Sequence, residues 1–366
     1  MKPTTELPDD PALPALVAIR AAGLAGAIPS LGLEGRPVEL LLCGYHPGRR
    51  ATLEVRAGDR RFAVKAYAED PVREAELYEA LTPFRPGRGP AGGSREEGGG
   101  PRIPRLLAWD RGLRVVVISW LEGPTAHDLV RHGQGARAGV LAARWLQRAA
   151  SLPVPLGPPL GVADTLERLP DWVATLGASD PALGAAAAAL ARRLAQTQPQ
   201  PGAPRLVHGT FYTRHVLDLG DGPGVIDWHR FGPGPLELDA GMFLATLSRL
   251  RLGHACYAGE ALRAERAFLA GTRRLVMERA LAWHWAAALL CLAARMLTLR
   301  KADWLPRAHA LLGEATRLAG RAAQPAFTLS PPALELVLRA LATRPATPDE
   351  LDQLRRLLED IPHGSP

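Results

Sequence analysis

From residue 38 apolar and polar positions alternate through Val-Glu-Leu-Leu-Leu-Cys, Ala-Thr-Leu-Glu-Val-Arg and Arg-Phe-Ala-Val-Lys-Ala-Tyr, with Gly-containing turns between the runs. Successive side chains of a strand face opposite sides, so this period of two predicts three short antiparallel strands. Residues 70–81 follow a helical pattern, with Pro71 near the start and charged residues interleaved with Ala, Leu and Tyr. The stretch 85–101 is nearly all Gly, Pro, Arg, Ser and Glu, too polar to pack a core, and predicts a flexible loop. Two more strands are expected at 105–109 and 113–120. They lead into Leu121-Glu122-Gly123-Pro124, a break suited to a hinge. Beyond it, apolar stripes at helical spacing mark 126–132, 136–151, 164–176 and 181–196. A strand-turn-strand insert is expected over 206–219 and 224–228. Helices resume from 240, and Thr347-Pro348-Asp349-Glu350 is a capping box that opens the last. No internal repeat is found.

Strands, a break, then helices predict an α+β chain of two lobes with a cleft between them. Residues 1–36, rich in Pro, Ala and Leu, read as an N-terminal extension with one helix around 14–25. Residues 37–122 form a small antiparallel β N-lobe, 123–325 a larger, mostly helical C-lobe, and 326–366 a C-terminal helical tail. The length of 366 residues exceeds that of a usual single core, which agrees with two lobes. A hydrophobic share of 47% and a charged share of 22% are those of a chain that folds.

The formal charge of +7 brings in a polyanionic partner as a possibility, but the basic residues are spread along the chain instead of forming blocks. No nucleic-acid partner is therefore expected. Cys43, Cys256 and Cys291 are widely separated and lack metal-type spacing, so neither a disulfide framework nor a zinc site is supported, and a cytoplasmic setting is expected. The first ten residues lack the apolar run of a signal peptide. The most membrane-like stretch, 280–297, contains His284 and Arg295 and reads as a buried helix, so no membrane partner is expected. Trp120, Trp145, Trp172, Trp283 and Trp285 read as core more than as a pocket lining.

Only Lys2, Lys65 and Lys301 are lysines; elsewhere the chain writes its positive charge as Arg. Lys65 in the strand-like Phe-Ala-Val-Lys therefore stands out. An ammonium there can reach nucleotide phosphates, and Glu74 on the next helix can hold it by an ion pair. Upstream, Gly44 and Gly48 frame a turn between two strands whose backbone N–H groups could cover phosphates, although Pro47 removes one donor.

The strongest signal is Leu206-Val-His-Gly-Thr-Phe-Tyr-Thr-Arg-His-Val-Leu followed by Gly224-Val-Ile-Asp-Trp-His. Over residues 38–300 the chain resembles the aminoglycoside phosphotransferase and small-molecule kinase family. The family's catalytic loop reads His-Gly-Asp-Phe-x-x-x-Asn/Gln-Val-Leu and is followed by an Ile-Asp-Trp metal-binding turn. The resemblance implies a bilobal protein-kinase-like fold that binds ATP and Mg²⁺ together with a small-molecule substrate. It also implies that Lys65 binds nucleotide phosphates, Glu74 pairs with it, Asp227 binds the catalytic metal and His208 is structural in the loop. Asp239, within Gly234-Pro-Leu-Glu-Leu-Asp-Ala-Gly, would brace that loop.

Two departures bear on function. Thr210 stands where the family has the aspartate that accepts the substrate proton, and a threonine is no base near neutral pH. His215 stands at the second metal-ligand position, and imidazole suits hard Mg²⁺ poorly. His215 or His229 could take over proton transfer, while His208, His215 and His229 lack the ligand pattern of a zinc triad. Two readings stay open: an ATP-dependent phosphotransferase acting on a small-molecule hydroxyl, and a pseudokinase that binds nucleotide or metabolite without turnover. No acidic excess after residue 240 marks a site for a cationic aminoglycoside. Neither substrate nor oligomeric state is specified by the sequence.

Overall fold

The computed structural model of the chain describes residues 5–81, 101–152, 156–200, 202–298 and 303–323. The expected flexible loop, save residue 101, and the C-terminal tail of 326–366 lie outside the described residues.

After helix α1 (Pro14–Ala27), strands β1 (Glu39–His46), β2 (Arg50–Ala57) and β3 (Arg60–Tyr67) form an antiparallel meander, followed by helix α2 (Val72–Leu81). Strands β4 (Leu106–Asp110) and β5 (Val115–Ser119) complete a five-stranded sheet in the order β1-β2-β3-β5-β4. Alternation sets its two faces. Leu53, Val55, Phe62, Val64 and Ala66 join a core with Leu13, Leu16, Ile19 and Leu24 from α1 and its approach. Ala63, Val116 and Ile118 join the other core, with α2 and the C-lobe. Lys65 shares the parity of Ala63 and is therefore delivered to the cleft side, buried at 4% exposure.

The segment read as an N-terminal extension is corrected by this packing: residues 13–33 supply eight of the eighteen buried residues of the core on that face of the sheet. A sheet facing a hydrophobic layer on one side only would leave Leu53, Val55 and Phe62 in water, and α1 covers them.

The hinge is strapped to the C-lobe. The Asp218 N–H donates to the Pro124 carbonyl at 2.9 Å. A Cβ on Gly123 would lie 1.9 Å from the Asp218 carbonyl oxygen, so only glycine fits there. Helix α3 (Ala126–Arg131) starts at once, with a reciprocal capping box between Thr125 and Asp128. Helices α4 (Gly135–Ala149), α5 (Val162–Gly177) and α6 (Pro181–Gln196) follow. Next comes the insert of short strands β6 (Arg205–Val207), β7 (Val216–Asp218), β8 (Pro223–Val225) and β9 (Gly232–Gly234). It forms two small ladders, β6 with β9 and β7 with β8.

Helices α7 (Leu236–Gly253), α8 (Ala258–Thr272), α9 (Glu278–Thr298) and α10 (Trp304–Ala323) complete the C-lobe. Among the described residues two helices, around Pro14–Leu31 and Glu278–Leu297, are long and apolar enough to cross a membrane, but the second is 83% buried inside the protein. Its apolar surface faces α7 and α10, as expected for a core helix. Trp145, Trp283 and Trp285 are buried core; Trp120 is half-buried and stacks under Arg61. All three cysteines are free thiols.

Candidate active site

Lys65 on β3 and Glu74 on α2 meet in the N-lobe as a buried ion pair. Glu74 also accepts hydrogen bonds from the hydroxyls of Tyr67 and Tyr78, the latter at 3.3 Å. With three donors, the carboxylate is compensated in a place where an unpaired charge would be costly. Burial first, and then the neighbouring Glu74 charge, push both tyrosine hydroxyls well above their usual range, so they stay protonated donors.

Across the cleft, Asp227 lies just after β8. Its φ is +66°, a left-handed conformation unusual for a residue other than glycine. What holds it there is the next residue: Trp228 is fully buried, its indole N–H donates to the Val225 carbonyl at 3.0 Å, and its ring packs edge-on against Trp145. The strain is offset by that anchoring, and the Asp227 carboxylate is turned into the cleft. There it lies 3.6 Å from Lys65 Nζ, 3.7 Å from an Arg50 guanidinium nitrogen and 3.1 Å from His229 Nδ1. Burial would raise its pKa, but the His229 hydrogen bond, with Lys65 and His215 nearby, wins and holds it well below the usual carboxylate range.

The loop after β6 is pinned from below by Asp239 on α7. Its two carboxylate oxygens accept the backbone N–H of His208 at 2.6 Å and of Gly209 at 2.9 Å. Gly209 has φ +73°, and a Cβ there would sit 2.5 Å from the Arg230 carbonyl oxygen. Burial pushes Asp239 up to about 7 against the pull of those two N–H groups.

His208 is wholly buried. Its Nε2 lies 2.9 Å from the Ile226 carbonyl, which fixes Nε2–H as donor and leaves Nδ1 an acceptor. Thr210 Oγ1 lies 3.2 Å from that Nδ1 and donates to it. Burial, followed by the nearness of His215, pushes His208 down to about 3, so the imidazole is neutral. His215 Nδ1 lies 2.8 Å from the Thr210 carbonyl and serves as the donor, while Nε2 stands 3.5 Å from Asp227. Burial outweighs Asp227 and brings His215 down to about 4.

The structure thus brings Lys65, Glu74, Asp227, His208, Thr210 and His215 to one end of the cleft. The reading of the Gly44–Gly48 turn is corrected. Gly44 lies within β1, and the Gly48 N–H already donates to Asp10 at 2.7 Å. The Arg49 N–H is likewise taken, by the His46 carbonyl at 3.0 Å. The turn is a closed hairpin whose donors have partners, because two glycines and Pro47 do not make a run of open N–H groups. Residues that sequence reasoning missed are Asp10, Arg50, Tyr67 and Tyr78. Only the tyrosines carried a signal, flanking Lys65 and Glu74 at strand and helix spacing.

A magnesium ion is the group such a cleft suggests. Among the described residues no three His, Cys, Asp or Glu side chains group to hold a metal. Asp227 fits as the one hard oxygen ligand that a Mg²⁺ already chelated by phosphates requires. His215, neutral and nitrogen-bearing, does not fit as a second.

Beside Thr210 a cavity of about 210 Å³ opens between α5, the loop after β8, α7 and α9. Trp172 lies on its wall.

A five-stranded sheet with a lysine–glutamate pair, a hinge and a helical lobe carrying the Asp227 turn define a bilobal kinase-like phosphotransferase fold. A model of the phosphotransferase enzyme family matches residues 42–276, and the chain belongs to that family. Among solved structures, a thermostable mutant of aminoglycoside phosphotransferase APH(4)-Ia is 17% identical. That match covers 81% of this chain and 98% of that one, with a TM-score of 0.55. A further structure of that protein is a ternary complex with ADP and hygromycin B, at 16% identity, 81% and 97% coverage and a TM-score of 0.53. Wild-type aminoglycoside 2'-phosphotransferase-IIIa in complex with GDP is 13% identical over 82% of this chain and 98% of its own, with a TM-score of 0.53. At these identities the likeness speaks for the fold. No curated protein sequence matches the chain.

Proposed function

We propose that the protein transfers the terminal phosphoryl group of ATP, as its Mg²⁺ complex, to a hydroxyl of a small molecule held in the cavity beside Thr210. The observation that carries this reading is the assembled array of Lys65, Glu74 and Asp227, with Lys65 Nζ 3.6 Å from Asp227, while Thr210 and His229 of the adjoining loops line that cavity. The nucleotide complexes of related folds, with ADP and with GDP, support nucleotide as the ligand of the cleft.

Lys65 would meet the phosphates with a charge already oriented by Glu74, and Arg50 adds a second cation from the hairpin side. A Mg²⁺ held by Asp227 would neutralise charge on the transferring group. Thr210 positions the acceptor: its proton is engaged by His208, which leaves oxygen lone pairs to accept a hydrogen bond from the substrate hydroxyl. General-base help is typically worth about 10²–10⁴-fold, and its absence leaves a slow enzyme, since phosphoryl transfer is catalysed chiefly by positioning and electrostatics.

A second reading, nucleotide or metabolite binding without turnover, is favoured by Thr210 itself, whose only described side-chain partner is an imidazole too weakly basic to draw off a proton. ADP release measured over sugars, amino alcohols, nucleosides and hydroxy acids separates the two. Turnover in the wild type that is lost in Lys65→Ala and Asp227→Ala supports the phosphotransferase. A silent wild type alongside an active Thr210→Asp variant overturns it and leaves the binding module.

A further inference from the structure

The charges around the acceptor cavity say what kind of molecule it suits. Three guanidinium groups, those of Arg168, Arg230 and Arg295, lie on its wall, against the single carboxylate of Asp164. That carboxylate is committed, because it forms an ion pair with Arg230. Arg295 donates to the Tyr212 hydroxyl, and Arg168 lies over the Trp172 ring, 5.2 Å from its centroid, with no ion-pair partner among the described residues. On the cavity wall guanidinium groups thus outnumber carboxylates three to one. Guanidinium forks in a partly enclosed site are the groups that recognise carboxylate and phosphate in pairs of parallel hydrogen bonds.

A second observation is independent of these charges. His284 on α9 lines the same cavity, is 2% exposed, and its Nδ1 has no hydrogen-bond partner. Buried polar atoms are almost always paired, so one left over at a pocket wall marks a place for a polar ligand atom. Burial pushes His284 down to about 3, so the ring is neutral and offers one donor and one acceptor. Met242, Ala287 and Cys291 add apolar wall and Thr165 and His229 further polar groups, and the volume of about 210 Å³ is below the ~300–1,000 Å³ of sites for drug-sized ligands.

Resting on the reading of this cavity as the acceptor site, we infer that the acceptor is a compact hydroxylated anion, a hydroxy acid or a phosphorylated polyol. A polycationic aminosugar is excluded by the same charges. The anionic group lies against Arg168 and Arg295, the hydroxyl faces Thr210, and His284 meets a polar atom in between.

The test uses the full chain saturated with ADP, titrated by calorimetry with D-glycerate and glycerol 3-phosphate, and with glycerol and ethanolamine as neutral and cationic counterparts. At least one anion is expected to bind tenfold or more tightly than either counterpart. Arg168→Gln and Arg295→Gln are each expected to weaken that binding at least tenfold, with ADP affinity unchanged and the thermal midpoint reporting a folded variant. Tighter binding of one anion than the other distinguishes carboxylate from phosphate recognition. Ethanolamine or glycerol binding as well as the anions, no binding by either anion, or anion binding untouched by both substitutions overturns the inference. Loss of ADP binding in the starting protein instead counts against the nucleotide-dependent reading of the cleft.

Discussion

At the scale of single residues, the site is a set of charges whose partners are fixed before any ligand arrives. Asp239 shows how tightly: one side chain satisfies two buried backbone donors of the loop after β6. In Asp239→Asn the amide nitrogen cannot accept, one N–H is orphaned, and a loss of about 1–3 kcal/mol in urea unfolding is expected. Thr210→Asp is expected to raise phosphoryl turnover by about 10²–10⁴-fold, read as initial rates of ADP release with whichever acceptor the wild type uses.

Histidines give the pH dependence. Burial holds His208 and His284 neutral, each pushed down to about 3 from the ordinary 6.5 of an imidazole. Their contribution to stability is complete above 6.5 and is lost as pH falls toward the folded-state value, because only the unfolded chain then takes up the protons. Asp239, raised to about 7, acts the other way: its contribution is present at low pH and is lost as pH rises from 3.8 through 7. The two histidines outweigh the one acid, so the urea midpoint is expected to fall from pH 7 to pH 5. His284→Leu should fall less steeply over the same range.

Among elements, what could be read in advance followed from local rules. Period-two alternation placed the three strands of the meander, and helical stripes placed α3 to α6 within a few residues of where they lie. Lys65 was visible because lysine is rare in this chain, and Asp227 because its turn follows a recognisable loop. Asp10 was not visible: it acts on Gly48 across 38 positions, and nothing in a Pro-rich leader announces such a contact. The cavity arginines were hidden for the opposite reason, since one arginine among so many looks like solvated surface until the fold gathers three of them. Helix α1 was seen as a helix but not as a layer of the N-lobe core, because its stripe finds its partner only in the folded sheet. Deletion of residues 1–36 is therefore expected to expose Leu53, Val55 and Phe62 and to abolish cooperative thermal unfolding, with dye binding at room temperature as the check.

Over the whole molecule, the two lobes are tied at more than the hinge. The Arg102 N–H donates to Pro223 at 2.8 Å and the Val225 N–H to the Arg102 carbonyl at 2.9 Å, which stitches the approach to β4 onto the insert that carries Asp227. Because Lys65 and Asp227 come from different lobes, a ligand bridging them would hold the two lobes together. Saturation with ATP and Mg²⁺ at 100 times Kd is then expected to stabilise the fold by about 2.7 kcal/mol, seen as a rise in thermal midpoint that Lys65→Ala removes.

The contact between Asp10 and the hairpin makes a carboxylate the resident anion of the turn between β1 and β2. Gly48 N–H and the Tyr45 hydroxyl already converge on one Asp10 oxygen, at 2.7 and 3.0 Å. Asp10 thus fastens the residues before α1 to the tip of the meander, a clasp between parts of the chain 38 positions apart.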